Sequence, residues 1–172
     1  MCIRDRFCSG GDISDLYEVG LKGNYGYGQK FWDDEYRLNA LIANYPKPYI
    51  AFMQGFTMGG GVGISCHGSH RIVCDTSKIA MPECSIGLIP DVGGSFLLSQ
   101  VPGNLGYYLG LTGTQMNAAD AVFAGFADYY EDYTATMYAD ITEGSTYTMN
   151  VTLGDLSGFN SYLGGAPVSL YT

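Results

Sequence analysis

Gly55-Phe56-Thr57-Met58-Gly59-Gly60-Gly61-Val62-Gly63 is the stretch on which the fold turns. Before it, residues 49–53 (Tyr-Ile-Ala-Phe-Met) form a short apolar run that reads as a buried strand. After it the apolar pattern resumes and predicts a helix over residues 62–68. A glycine-rich corner between a strand and a helix lets bare backbone N–H groups approach a ligand, helped by the positive end of the helix. The plainer reading of the same cluster is a tight turn that needs positive φ. Two further motifs follow, Met81-Pro82-Glu83 and Pro90-Asp91-Val92-Gly93-Gly94, each setting a carboxylate directly behind a proline. Backbone donors with positioned carboxylates are the parts needed to polarise and attack a carbonyl.

Working outward, residues 13–21 predict a short helix and residues 24–28 a glycine and tyrosine loop. Residues 31–44 predict an amphipathic helix with Phe31, Tyr36, Leu38 and Ile42 on its core face. Tyr45-Pro46-Lys47-Pro48 ends it, because proline cannot continue the ladder and restricts its predecessor. Strands are expected at 70–74 and 78–81, and helices at 92–99 and 105–111, the last stopped by Gly113. Asn117 caps one more short helix that ends at Gly125. Strands and helices alternating at this length imply an α/β fold. Residues 1–6 (MCIRDR) read as a non-native leader and residues 7–128 as the core unit. Residues 129–172 are rich in Tyr, Thr, Ser and Gly without helical periodicity. Weak β-hairpins, disorder and a mistranslated tail all remain open for them.

The chain has 172 residues, enough for one domain with a core of its own. Its net charge of −9 is unevenly placed: all eight basic residues lie at or before Lys78, and nine of the seventeen acids lie beyond it. That argues against nucleic acid and anionic membranes as partners, and it leaves few basic groups for a polyphosphate cofactor. The five cysteines are odd in number and form no C-x-x-C pair. With no signal-peptide core and no apolar run of about 18 residues, the expectation is a cytoplasmic protein, an organellar address staying open.

Several motifs together resemble the crotonase (enoyl-CoA hydratase/isomerase) superfamily, most closely its 3-hydroxyacyl-CoA hydrolases. They are Phe7-Cys8-Ser9-Gly10-Gly11-Asp12, Glu35-Tyr36, Lys47-Pro48-Tyr49, Met58-Gly59-Gly60-Gly61-Val62-Gly63, Met81-Pro82-Glu83, Ile86-Gly87-Leu88-Ile89-Pro90-Asp91-Val92-Gly93-Gly94 and Leu105-Gly106-Tyr107-Tyr108-Leu109-Gly110-Leu111-Thr112-Gly113. The resemblance implies a crotonase-like spiral of ββα units, here truncated at both ends. It implies an oxyanion hole from the backbone N–H groups of Gly11 and Gly60, with Glu83 and Asp91 catalytic. Substrate would be bound by Glu35, Gly60, Glu83 and Asp91, Glu35 lying near the substrate's hydroxyl. The partner implied is an acyl-CoA thioester, its coenzyme A being part of the substrate, with no separate cofactor, no metal, and room for a homo-oligomer in the intact protein.

Each acid also has a structural reading. Glu83 can be an exposed loop acid, Asp91 the N-cap of the next helix, and Glu35 one charge of the solvated run Asp33-Asp34-Glu35. One departure separates subfamilies. The resembling hydratases carry a first catalytic glutamate shortly after the triple glycine, where this chain has Gly63, so hydrolysis through Glu83 is favoured over hydration. A hydratase or isomerase, and an inactive module working through protein contacts, are the rival expectations. Other signals are weaker. Gly63-Ile64-Ser65-Cys66-His67 fails the G-x-S-x-G elbow at His67, and Cys66, His67, His70 and Cys74 match no standard zinc spacing.

Overall fold

The computed structural model describes residues 6–131, 133–138 and 148–153. Helix α1 (Ile13–Leu21) begins where the sequence places it, because the Asp12 carboxylate accepts from the N–H groups of Ser14 and Asp15. Helix α2 (Tyr25–Ala43) starts six residues earlier than the pattern predicts, so the expected loop at 24–28 is its first turn. The reason is packing. A Cβ on Gly28 would stand 3.2 Å from the Trp32 ring and 3.7 Å from Leu16 of α1, so the small residue lets the two helices close on each other. On the outer face, Lys30 pairs with Asp34 and Arg37 with Asp33 at i,i+4 spacing.

The buried stripe of α2 also differs from expectation. Ile42 is buried and Phe31 half-buried as read, but Tyr36 and Leu38 are 48% and 44% exposed. Their places on the inner face are taken by Glu35 and Asn39. Hydrophobic periodicity looked for an apolar stripe, and this helix turns polar groups inward.

Two small parallel sheets carry the rest. Strand β1 (Ile50–Phe52) pairs with β3 (His70–Val73), which pairs with β5 (Tyr129–Tyr130). Strand β2 (Phe56–Met58) pairs with β4 (Lys78–Ala80). The registers Ile50↔His70 and Phe56↔Lys78 show one unit repeating. In each unit the chain makes a strand in one sheet, turns through a few residues into the other, and crosses over. Cys8 adds a parallel bridge to Thr57, and Met116 an antiparallel one to Ile79. Helix α3 (Gly60–Ser65) is the crossover after β2. Beyond β4 come a 3-10 turn (Glu83–Ile86) and helices α4 (Gly94–Ser99), α5 (Leu105–Thr112) and α6 (Ala118–Phe123). The Asn117 cap on α6 is a full capping box with Asp120.

The core lies between the sheets and these helices, with Met53, Val62, Ile72, Val73, Ile79, Val92 and Phe126 almost wholly buried. Side chains of this kind stabilise by about 1.5–3 kcal/mol each when fully buried. Arg71 ties the segment after α6 to β3. Its guanidinium forks onto Asp128 at 2.9 and 2.5 Å and donates to the Gly125 carbonyl at 2.7 Å. Of the tail, β6 (Tyr133–Tyr138) pairs antiparallel with β7 (Thr148–Leu153). Residues 132, 139–147 and 154–172, and most of the expected leader, lie outside the described residues.

Candidate active site

The glycine corners come together because Cys8 is stitched to β2. Its N–H donates to the Phe56 carbonyl and its carbonyl accepts from Met58. That bond pair sets the turn at Gly10-Gly11 against the turn at Gly59-Gly60. A Cβ on Gly10 would lie 3.2 Å from the Gly60 nitrogen, and one on Gly60 would lie 3.6 Å from the Gly11 nitrogen. Gly59 needs its freedom, having φ +52° as the N-cap of α3. Gly60 is the first residue of that helix, so its N–H has no acceptor within the helix.

The acids surround this corner. A Cβ on Gly60 would stand 2.9 Å from Glu35 Oε1, and a Cβ on Gly59 the same distance from Glu83 Oε1. Glu83 opens the 3-10 turn beyond β4 and is only 5% exposed, so it is no loose surface acid. One oxygen each of Glu35 and Glu83 is buried without a hydrogen-bond partner among the described residues. Desolvation pushes the Glu83 pKa up to about 7, opposed by its own backbone N–H and reinforced by the charges of Asp91 and Glu35. Glu35 is raised by desolvation and then by Asp91. Asp91 is raised by desolvation against two lowering contacts, its own backbone N–H and a hydrogen bond from Trp32. Three carboxylates facing one cleft cannot all ionise as they would in water.

Asp91 does not cap the next helix. The N-cap of α4 is Gly93, without a side-chain bond, because Val92 and Gly93 interpose a tight turn closed by the Gly94 N–H on the Asp91 carbonyl. The carboxylate is left free to face the cleft, which is lined by Gly10, Gly11, Phe31, Trp32, Glu35, Gly59, Gly60, Glu83, Ile86, Leu88 and Asp91 among others. Ile86 and Leu88 are apolar walls of the same cleft as Glu83. Phe31 and Trp32 were not anticipated as site residues, though their spacing from Glu35 along one helix face was a usable signal. A larger cavity of about 600 Å³ lies beside Cys84, Pro90, Leu98 and Tyr107 and is lined by no carboxylate.

Position 63 is closed to any side chain. A Cβ there would meet Val92 Cβ at 2.6 Å and Asn39 Oδ1 at 2.9 Å. The discounted signals disperse as well. Ser65 is fully buried and bonds back to the Gly61 carbonyl at 2.7 Å. Cys66 meets the Phe126 carbonyl, His67 the Val92 carbonyl, His70 the Ser69 hydroxyl and Cys74 the Ser77 and Thr76 hydroxyls. Among the described residues no helix is long and apolar enough to cross a membrane.

A spiral of ββα units with paired glycine corners beside buried acids defines the class, and the enoyl-CoA hydratase/isomerase family profile matches residues 4–151. The chain belongs to that family. Among curated relatives, the mitochondrial 3-hydroxyisobutyryl-CoA hydrolase of Xenopus tropicalis is 47% identical over 124 residues, 72% of this chain and 32% of its own length. Small ribosomal subunit protein mS47 of Neurospora crassa is 44% identical over 126 residues, 72% of this chain and 25% of its own. Among solved structures, an enoyl-CoA hydratase from Rhodobacter sphaeroides 2.4.1 has a TM-score of 0.73 at 57% identity, over 74% of this chain and 38% of that one. The chain thus spans about a third or less of the length of these curated relatives.

Proposed function

We propose that this chain carries the site of a short-chain 3-hydroxyacyl-CoA thioester hydrolase, with 3-hydroxyisobutyryl-CoA, an intermediate of valine breakdown, as its substrate. The observation that carries the reading is the pairing of three desolvated acids around the Gly60 corner with a position 63 that admits no side chain. A hydration mechanism with a second glutamate at 63 has no room here. Hydrolysis needs one group of tuned basicity, and Glu83 supplies it.

In this mechanism the thioester oxygen sits against the N–H groups of Gly11 and Gly60, and donors so placed favour the developing oxyanion by about 3–4 kcal/mol each. Ionised Glu83 takes a proton from water as the water oxygen bonds to the acyl carbon, and the carbonyl electron pair moves onto the held oxygen. Collapse breaks the carbon–sulfur bond, and the departing thiolate takes the proton back from Glu83. Direct attack by Glu83, followed by hydrolysis of the resulting anhydride, uses the same groups. A pKa near 7 suits a residue that must accept and then return a proton at neutral pH. Burial holds that pKa up, reinforced by the charges of Asp91 and Glu35, and in this reading Glu35 meets the substrate's hydroxyl. Coenzyme A enters as part of the substrate, and no resident cofactor is invoked. The mitochondrial names of several relatives support an organellar address over the cytoplasmic one.

The test is free-thiol release from 3-hydroxyisobutyryl-CoA by this chain beside Glu83→Gln. Release that disappears in the variant supports the reading, and equal release from both overturns it. The 57% identity to a solved enoyl-CoA hydratase keeps hydration as a second reading, for which water addition to crotonyl-CoA would be diagnostic. The likeness to a ribosomal-subunit protein supports a third, a module working through protein contacts, which thiol release would rule out.

A further inference from the structure

The corner that presents Asp91 is strained. Val92 has φ +47°, the one positive value at a non-glycine position among the described residues, and it is β-branched and fully buried. Gly93 follows at φ +75°, and the Gly94 N–H returns to the Asp91 carbonyl at 2.5 Å. Two successive left-handed residues closed in this way form a mirror-image tight turn, whose first central position normally takes Asn, Asp or Gly. Valine is among the residues least suited to it. Groups outside the turn must therefore hold it.

His67 is placed to do so. It lies just past α3, and its Nε2 is 2.7 Å from the Val92 carbonyl. A carbonyl only accepts, so Nε2 carries the proton and donates. The same ring crowds the next residue, since a Cβ on Gly93 would lie 2.8 Å from His67 Cε1 and Nε2. Val92 packs over Gly63, while α2 reaches the turn through Tyr36, against the Val92 backbone, and Trp32, against the Asp91 carboxylate. The peptide between Val92 and Gly93 is thus fixed by one side-chain bond from a residue that does not line the acid cleft.

We propose that His67 is a positioning residue for Asp91: its hydrogen bond to the Val92 carbonyl holds the left-handed turn that aims the Asp91 carboxylate into the acid cluster. The inference rests on the hydrolase reading for its catalytic consequence, but the turn itself can be tested without activity. Backbone carbon shifts of Val92, measured by NMR on the labelled full chain, report the sign of its φ. His67→Gln keeps a donor near the Nε2 position, and His67→Leu removes it. Val92 stays left-handed in the wild type and in His67→Gln, and leaves that region in His67→Leu. Thioester hydrolysis by His67→Leu then falls by about ten- to a hundredfold in kcat/KM, the scale of a misplacement near 1 Å. It falls no further when the same change is made beside Asp91→Asn, as a residue acting through Asp91 requires.

A His67→Leu protein with left-handed Val92 shifts and wild-type kcat/KM overturns the proposal. If His67→Leu does not fold, adding Val92→Asn decides, because asparagine accepts this backbone more readily. Restored folding and turn shifts support the clamp, and failure to restore them reduces His67 to a packing residue and overturns it. Absence of hydrolysis in the wild type would instead overturn the functional reading and leave the turn measurement standing.

Discussion

The two halves of the candidate site are made of opposite materials. The glycine half is backbone, stitched into β2 and β4 by ladder hydrogen bonds, with nothing to titrate and almost no space to spare. The acid half is side chain, with one oxygen each of Glu35 and Glu83 buried without a partner among the described residues and pKa values pushed upward. The first half derives its function from rigidity and the second from an unfavourable environment. Substitutions should therefore break the first by crowding and the second by relieving it.

The largest effect belongs to the acids. Glu83→Gln removes the proposed proton acceptor and should lower kcat for thioester hydrolysis by about a thousandfold or more, read as thiol release under saturating substrate. Next comes the glycine half. Gly60→Ala puts a methyl group 2.9 Å from Glu35 Oε1 and 3.2 Å from Gly10 Cα, so the two corners must part. A loss of about a hundredfold in kcat is expected, with the fold retained by circular dichroism.

The pH dependence sharpens the contrast. In the proposed mechanism Glu83 acts ionised, so the rate should fall as pH drops through about 7. Asp91→Asn should move that limb to lower pH by removing a charge that raises Glu83, whatever else it does to the rate. Stability runs the other way. A folded-state pKa above the unfolded value means that the contribution of Glu83 is fully present below about pH 4 and is lost as pH rises through about 7. Glu83→Gln should therefore melt higher than the wild type at pH 8 and lose that advantage near pH 4, a crossover that thermal denaturation would show.

The smallest effects are structural. Gly63→Ala drives a methyl group into Val92 at 2.6 Å and should cost about 1–3 kcal/mol in denaturant unfolding. Asp128→Asn weakens the Arg71 fork and should cost about 2 kcal/mol at neutral pH. Against its own desolvation, Asp128 is held below its ordinary pKa by Arg71, so its stabilisation is present above the usual carboxylate range and is lost as pH falls through the depressed value. Wild type and Asp128→Asn should therefore converge in strong acid.

Where sequence reading worked, a local rule and the tertiary environment agreed. The Asn117 cap, the Gly113 stop and the glycine corner after β2 were all legible, because short-range chemistry decides them. Reading failed where the site overrode the local rule. Glu35 and Asn39 occupy the buried stripe of α2, an arrangement no hydrophobic pattern can signal. The Gly26 and Gly28 start of that helix looked like a loop, since the packing that favours Gly28 comes from Leu16 of α1. The N-cap reading of Asp91 was sound for an isolated segment and failed because two left-handed residues stand between it and the helix. The family resemblance, resting on several motifs in order, pointed to the same residues that the fold brings together. Geometry added the closure of position 63 and the contact of Trp32 with Asp91.

The register Met58↔Ala80 has a consequence for how the site tolerates change. Gly60 and Glu83 follow closely after these two strand ends, and a further backbone bond joins the Gly59 N–H to the Ala80 carbonyl at 3.3 Å. In machining terms the dimension between donor and acid passes through a single joint, so errors elsewhere do not accumulate in it. Drift in the outer helices, whether from heat or from substitution, would reach Glu35 and Asp91 well before it reached that spacing. Within this fold the gap between the Gly60 N–H and Glu83 is the invariant dimension, and the surrounding acids are the adjustable fittings.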